Sequence, residues 1–290
     1  MMSDSHVFSN GRFKARVAAH GAELCSLCDE TGRELIWTGG AWPRHSPVLF
    51  PIVGRLRDNH ALIDGLDYTL TQHGFARDRV FRWVERHETG CTLVLEDDPT
   101  SRAIFPFAFR LTLQYTLDED GLHLAYTLGN PDSRSLLHAS LGAHPAFIWP
   151  LVPGTAKTDH VLEFEAPEPE PLAVLEEGLI APGARPNPVK DGILPLDDSL
   201  FDHDALIFLH PASRKLRFHA RTGEALVFSW HGFEQLGIWM KPGSDFLCLE
   251  PWMGYSSPVD FDGAFEEKPG LLHLQPGESW SAGWSVRLGA

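Results

Sequence analysis

No stretch of this sequence offers the ~20 consecutive apolar residues that carry a helix across a bilayer. A membrane-spanning role is therefore set aside. The opening residues, MMSDSHVFSN, lack a basic segment followed by an apolar one, so no secretory signal is expected. Cysteine is scarce: four in 290 residues do not make a disulfide framework. Cys25 and Cys28 form a lone C-x-x-C with no second pair and no βαβ pattern around it. On a strand, residues three apart point to opposite faces, so these two thiols read as small apolar residues. Together these absences point to a reducing cytoplasm. Positive charge is also in deficit, with 24 basic against 39 acidic side chains and a formal charge of −15. Such a surface repels polyanions, which argues against nucleic acid or an anionic membrane as partner and favours a neutral ligand.

Long helical periodicity is missing too, and 22 prolines with 26 glycines leave little room for it. What is present has a period of two. In FRLTLQYTL, Phe109, Leu111, Leu113, Tyr115 and Leu117 fall on one face. After the turn DEDG, Leu122, Leu124, Tyr126 and Leu128 repeat the pattern, which predicts a long antiparallel hairpin with one buried face. Further strands are expected at Arg12–Val17, Thr92–Glu96, Leu137–Leu141, Leu206–Leu209, Ala225–Ser229, Leu236–Lys241, Phe246–Leu249 and Ser279–Arg287. The fold class that follows is all-β: a large antiparallel β-sandwich with few short helices. The Pro- and Glu-rich stretch Glu165 to Pro188 reads as an excursion from the sheets, not a linker, because strand patterns resume after it. One domain is expected over residues 1–290.

Polar residues interrupt this pattern in three places. Between Pro47 and Phe81 lie Arg55, Arg57, Asp58, Gln72, His73, Arg77 and Arg79, set among Pro and Gly. In LGAHPAF, His144 stands before a proline that holds its backbone extended. In FLCLEPW, Glu250 closes an apolar run ahead of Pro251 and Trp252, and a buried carboxylate must be paired, raised in pKa, or used. Each has a plainer reading: a hydrogen-bonded scaffold histidine, solvated arginine ion pairs, and Trp42, Trp149 and Trp252 as core residues. The sequence contains no His-x-His pair and no G-x-S-x-G elbow; Asp202-His203-Asp204 is the nearest metal-like cluster. A carboxylate with histidines remains, a set suited to proton transfer and requiring no metal or other cofactor.

HGFAR (His73 to Arg77), GAHPAF (Gly142 to Phe147) and CLEPW (Cys248 to Trp252), in that order and spacing, resemble the galactose mutarotase-like superfamily of aldose 1-epimerases. PVLFPIVG and LFDHDALIF have counterparts in its LacX-like branch, and the likeness runs from about Asn10 to Arg287. The resemblance implies a β-supersandwich, galactose mutarotase-like, whose concave face holds a small-molecule sugar; the chain is expected to be a monomer or homodimer. It implies Glu250 as general base, His144 as general acid and His73 as a second active-site histidine. Asp204 corresponds to a carboxylate that bonds sugar hydroxyls, and Arg77, Gln72, Arg55 and Trp252 are candidate substrate contacts.

Anomer exchange opens a hemiacetal and closes it on the other face. A base takes the proton of the anomeric hydroxyl while an acid protonates the ring oxygen. This chemistry leads one to expect Glu250 and His144 across C1 from one another, the carboxylate ionised and the imidazole partly protonated at rest. Two other functions fit the same motifs. A hexose-6-phosphate 1-epimerase could use Arg55, Arg57, Arg77 and Arg79, but such relatives place Arg-Gly-Gly before the Pro-rich strand, where this chain reads PRHSP. A non-catalytic carbohydrate-binding or sensing domain would bind sugar without accelerating exchange.

Overall fold

The computed structural model describes residues 4–289 apart from 222. Two large sheets dominate, and their strand pairs are antiparallel. The nine-stranded sheet runs, in spatial order, Ile193–Pro195, His160–Phe164, Lys215–Ala220, Ala225–His231, Ser279–Gly289, Leu122–Gly129, Arg110–Leu117, Gly90–Glu96 and Arg82–His87. The predicted hairpin lies near its centre, with Leu117 opposite Leu122 and Leu111 opposite Leu128. Its inward row behaves as the period-two pattern requires: Leu111, Leu113, Tyr115, Leu122 and Leu128 are completely buried, while Arg110, Gln114 and Thr116 face solvent.

The eight-stranded sheet follows the order Leu179–Arg185, Leu172–Glu176, Leu206–Phe208, Gln235–Trp239, Phe246–Met253, Leu141–Ala143 and Val48–Leu49, with Ala146–Ile148 also paired to Phe246–Met253. Residues of both sheets, such as Leu113 and Tyr115 from one and Leu236, Leu247 and Leu249 from the other, belong to a single apolar cluster. That shared core is what makes the two layers a sandwich. Smaller sheets of two or three strands edge the sandwich, the three-stranded one including Leu24–Cys28. All four cysteines are free thiols. The one α-helix among the described residues is the single turn Pro99–Arg102, capped by the Asp98 carboxylate on the Ser101 N–H at 2.6 Å. No helix among the described residues is long and apolar enough to cross a membrane.

Two expectations need revision. Glu165 to Pro188 is not an excursion: it supplies the hairpin Leu172–Glu176 and Leu179–Arg185 at the edge of the eight-stranded sheet. The turn residues Glu177 and Gly178 have φ of 50° and 82°, the backbone twist that closes a two-residue hairpin. The strands are short and interrupted by Pro182 and Gly183, which hid their period. Nor does the Glu250 strand stop at Glu250; it continues through Pro251 to Met253. Leu249 donates its N–H to the Pro145 carbonyl at 3.2 Å, so the missing N–H of Pro251 falls on the same side. There the neighbouring strand is split in two at His144–Pro145, and little ladder bonding is lost.

Candidate active site

Strand Phe246–Met253 is buried on both faces, and the two faces differ in kind. Leu247 and Leu249 enter the core between the sheets. Their alternates form the floor of a cavity of about 570 Å³: Glu250 and Trp252 line it, between an apolar patch around Trp252, Leu49 and Val53 and another around Phe246, Cys248 and Ala146.

The two segments that carry His144 and Glu250 are in register. Gly142 pairs with Trp252 and Ala146 with Cys248, which sets His144 directly opposite Glu250 on the cavity face. Directly opposed residues on one face of an antiparallel pair meet side chain to side chain. The result is a contact of 3.2 Å between His144 Nε2 and Glu250 Oε2. Both groups are nearly withdrawn from water, with 7% and 2% of their surface exposed. The expectation was two groups standing across a sugar carbon; the strand register instead brings them into direct contact.

Burial also governs their charge. It pushes the Glu250 carboxyl well above the usual carboxylate range, and the nearby Asp204 charge adds to the effect. Burial likewise pulls His144 down to about 3, helped by the Arg77 and Arg44 guanidiniums. Both shifts favour the uncharged forms, a carboxylic acid beside a neutral imidazole, whereas the expectation was a carboxylate beside a partly protonated ring. The number of protons on the pair is one in either arrangement. His144 Nδ1 has no hydrogen-bond partner. Its ring lies 5.1 Å from Trp42, 5.7 Å from Trp239 and 5.8 Å from His73, so aromatic and imidazole faces fix its orientation.

The tight approach of Trp252 depends on two glycines. A Cβ on Gly142 would lie 2.7 Å from the indole Cδ1, and one on Gly237, the cross-strand partner of Glu250, would overlap the ring's far edge. The indole N–H favours the Glu250 anion but makes no hydrogen bond of normal geometry.

His73 and its neighbours form the wall. His73 has φ of 64°, a strained conformation held by two bonds to one residue: its N–H donates to the Gly54 carbonyl at 2.8 Å, and Nδ1 accepts the Gly54 N–H at 3.1 Å. With Nδ1 accepting, the neutral ring carries its proton on Nε2, which lies 3.3 Å from the Gln72 amide. Burial, then His144, Arg77 and Arg44, holds His73 well below its ordinary pKa, so it is a neutral donor. Arg77 closes this turn by donating to the Gln72 carbonyl at 2.7 Å. Arg44 is engaged with the Asp78 carboxylate at 2.7 Å and the Arg77 carbonyl at 3.3 Å.

On the opposite wall Asp204 has φ of 72°, and its carboxylate accepts the Ala205 N–H at 2.8 Å. Thus Glu250, His144, His73, Asp204, Arg77, Gln72 and Trp252 surround one cavity. Arg55 does not line it; it lines an adjoining cavity and donates to the Glu177 carbonyl at 2.9 Å. Arg57 lies beside Asp58 at another cavity, and Arg79 stacks on the Phe75 ring. Of the tryptophans weighed as sugar contacts, Trp42 lines the cavity, whereas Trp149 is core, its indole N–H donating to the Lys157 carbonyl at 3.0 Å.

Trp239, Phe201, Leu175 and Ser256 were not among the sequence candidates but line the cavity. A signal for Trp239 existed: LGIWM is apolar at both parities, the mark of a strand buried on both faces. Metal-ligand types converge in one cluster among the described residues, His144, Cys248 and Glu250, with donor atoms within 4.8 Å of one another. Burial and the neighbouring Glu250 push the Cys248 thiol up, and Arg77 and Arg44 face the imidazole, so a cation there would have to displace protons against like charge. The Asp202–Asp204 run does not form such a cluster.

A two-layer β-sandwich with a buried carboxyl–imidazole pair on the floor of a polar and aromatic cavity defines a class of scaffolds equipped for proton transfer. The family profile for aldose 1-epimerase matches residues 4–287, and the chain belongs to that family. It is 30% identical over 280 residues to the chromosomal protein LacX of Lactococcus lactis subsp. lactis, covering 92% of this chain and 94% of that one. Its fold is galactose mutarotase-like. It superimposes with a TM-score of 0.91 and 28% identity on a galactose mutarotase related enzyme from Lactobacillus acidophilus, covering 99% of this chain and 98% of that one. A galactose mutarotase-like protein from Lactobacillus casei ATCC 334 gives 0.89 and 28%, covering 99% and 100%. Membership in this family implies an isomerase acting on sugars.

Proposed function

We propose that this protein interconverts the α and β anomers of an aldose, with Glu250 and His144 as its proton-transfer pair. The observation that carries this reading is their 3.2 Å contact on the cavity floor. The two oxygens that exchange protons, O1 and the ring oxygen, are both bonded to C1. An acid and a base in contact can therefore serve both when C1 lies over them.

Glu250 as carboxylate removes the O1 proton while protonated His144 supplies one to the ring oxygen. The C1–O5 bond breaks as the C1=O1 carbonyl forms, and the protons return after rotation about C1–C2. The pair begins and ends with one proton, so the neutral resting arrangement and the charged reacting one differ only by a shift between Oε2 and Nε2. The His73 Nε2–H and the Asp204 carboxylate fit hydroxyl recognition around the ring. Each positioned acid or base contributes ~10²–10⁴-fold.

The phosphate reading draws less support, because Arg44 and Arg55 already spend donors on protein oxygens and Asp204 lies within the cavity. The test is polarimetry of freshly dissolved α-glucose and α-galactose, beside their 6-phosphates. Acceleration of a neutral sugar supports the proposal. Binding without acceleration assigns the protein to sugar sensing instead.

A further inference from the structure

Away from the cavity, Leu137–Ala139 and Leu272–Leu274 pair as a two-stranded antiparallel sheet. Leu137, Ala139 and Leu274 are buried, so the alternate positions, His138 and His273, fall on the outer face. The register sets these two histidines directly opposite one another. Their Nδ1 atoms meet at 2.7 Å, and neither ring lines the acid–base cavity.

Nothing in the anomer-exchange reading uses this pair. Directly opposed like charges destabilise a strand pair, so the two rings are not both protonated at low cost. In the neutral state one Nδ1–H donates to the other Nδ1. His138 is half-buried, and Phe107 meets it edge-on with ring centroids 5.5 Å apart, which steadies its direction. The charges acting on His138 are those of His273 and of two carboxylates, Glu266 and Asp64; no Arg or Lys is among them. Burial, then His273, holds His138 below its ordinary pKa, so the ring is a neutral base near neutral pH. That is the form in which imidazole binds a metal. The three-donor cluster of the cavity floor differs on both counts, being faced by Arg77 and Arg44 and nearly withdrawn from water.

We propose that His138 and His273 form a two-imidazole site for a divalent transition-metal ion, separate from the acid–base cavity. Both Nδ1 lone pairs turn to the ion while each ring carries its proton on Nε2, so no proton is lost overall. Imidazole nitrogens lie ~2.0–2.1 Å from such an ion. Two of them on one ion stand ~2.9–3.4 Å apart, so the pair opens by less than an ångström. Imidazole selects Cu²⁺, Ni²⁺ and Zn²⁺ over Mg²⁺ and Ca²⁺, which prefer oxygen. Among the described residues no third His, Cys, Asp or Glu joins the pair in a cluster, so water completes the coordination. The Glu266 and Asp64 charges favour the cation. An ion held by both strands stabilises the folded chain that binds it.

The experiment titrates the full chain, stripped with chelator, with Ni²⁺, Zn²⁺ and Mg²⁺ by isothermal calorimetry at neutral pH. His138→Ala and His273→Gln, both on the outward face, are titrated beside the wild type. The expected result is one equivalent of Ni²⁺ or Zn²⁺ bound by the wild type and no heat with Mg²⁺. Affinity should fall at least ~10-fold in each variant. Saturating Ni²⁺ should raise the Tm of the wild type but of neither variant. Absence of Ni²⁺ and Zn²⁺ binding in the wild type overturns the site. So does binding that survives both substitutions, which would belong to other histidines. Neither substitution touches Glu250 or His144, so failure here leaves the anomer-exchange reading standing, and the site stands if that reading fails.

Discussion

Along Phe246–Met253, neighbouring residues lead to two unlike interiors. Leu249 points into the core between the sheets, where only volume and apolarity matter. Glu250, one residue later, is as deeply buried but opens onto a cavity and touches an imidazole. In the strand Arg110–Leu117 the same alternation separates core from solvent, because Gln114 and Thr116 are exposed. The difference teaches that a strand buried on both faces has a face to spare. The eight-stranded sheet uses that face to hold an ionisable pair in low dielectric, which solvent would otherwise level.

This contrast can be broken by substitution, the greatest change coming from Glu250→Gln. It should lower anomer exchange ~10²–10⁴-fold while the circular dichroism spectrum stays that of the wild type. Its stability should separate from wild type with pH. Glu250 has a folded pKa raised above its ordinary 4.5, so the folded chain keeps a proton that the unfolded chain releases. The wild type then loses stability as pH climbs from 4.5 toward the raised value, and the glutamine variant, free of that loss, becomes the more stable of the two in denaturant titrations. For activity, the one-proton state of the pair extends from about pH 3, where His144 takes a second proton, up to the raised pKa of Glu250. The rate profile should be flat between these limits and fall on the alkaline side.

Leu249→Ala probes the other face of the same strand. It should cost ~2–5 kcal/mol of stability through a core cavity, with kcat per folded molecule near that of the wild type. Equal losses of kcat and stability would show that the faces are not separable. Gly237→Ala tests their boundary, since its Cβ would collide with the Trp252 ring. Overpacking of this kind costs ~1–3 kcal/mol, and displacement of Trp252 should also raise KM. His73→Ala should have the smallest effect, a kcat/KM lower by about tenfold, the worth of one lost hydrogen bond of ~1 kcal/mol or somewhat more. Unchanged kinetics would remove His73 from sugar contact.

The sheets were legible where one face meets water. Phe109 to Leu117 and Leu122 to Leu128 alternate cleanly, and their inward residues are the buried ones. Legibility fell where both faces are buried or strands are short. LGIWM reads as continuous apolarity, which left Trp239 outside the candidate site, and the hairpin at Glu165 to Pro188 was obscured by Pro182 and Gly183. Among the candidate contacts, Arg55 was placed one cavity too near, because a loop's charge says nothing about which carbonyl will hold it. The motifs brought His144 and Glu250 into one site, but not into contact. That contact depends on pairing Gly142 with Trp252 and Ala146 with Cys248, a register between segments about a hundred residues apart that no local pattern encodes. Burial, which favours the uncharged form of each group, is likewise a property of the assembled floor and not of any local pattern.

The central claim is that His144 and Glu250 act as one proton-holding unit, and a double-mutant cycle tests it most directly. Anomer exchange is measured by NMR for the wild type, His144→Ala, Glu250→Gln and the combined variant. A shared proton predicts that either single change removes nearly all the acceleration and that the combination removes little more. Losses that multiply, or a wild type that exchanges anomers no faster than buffer, would contradict it.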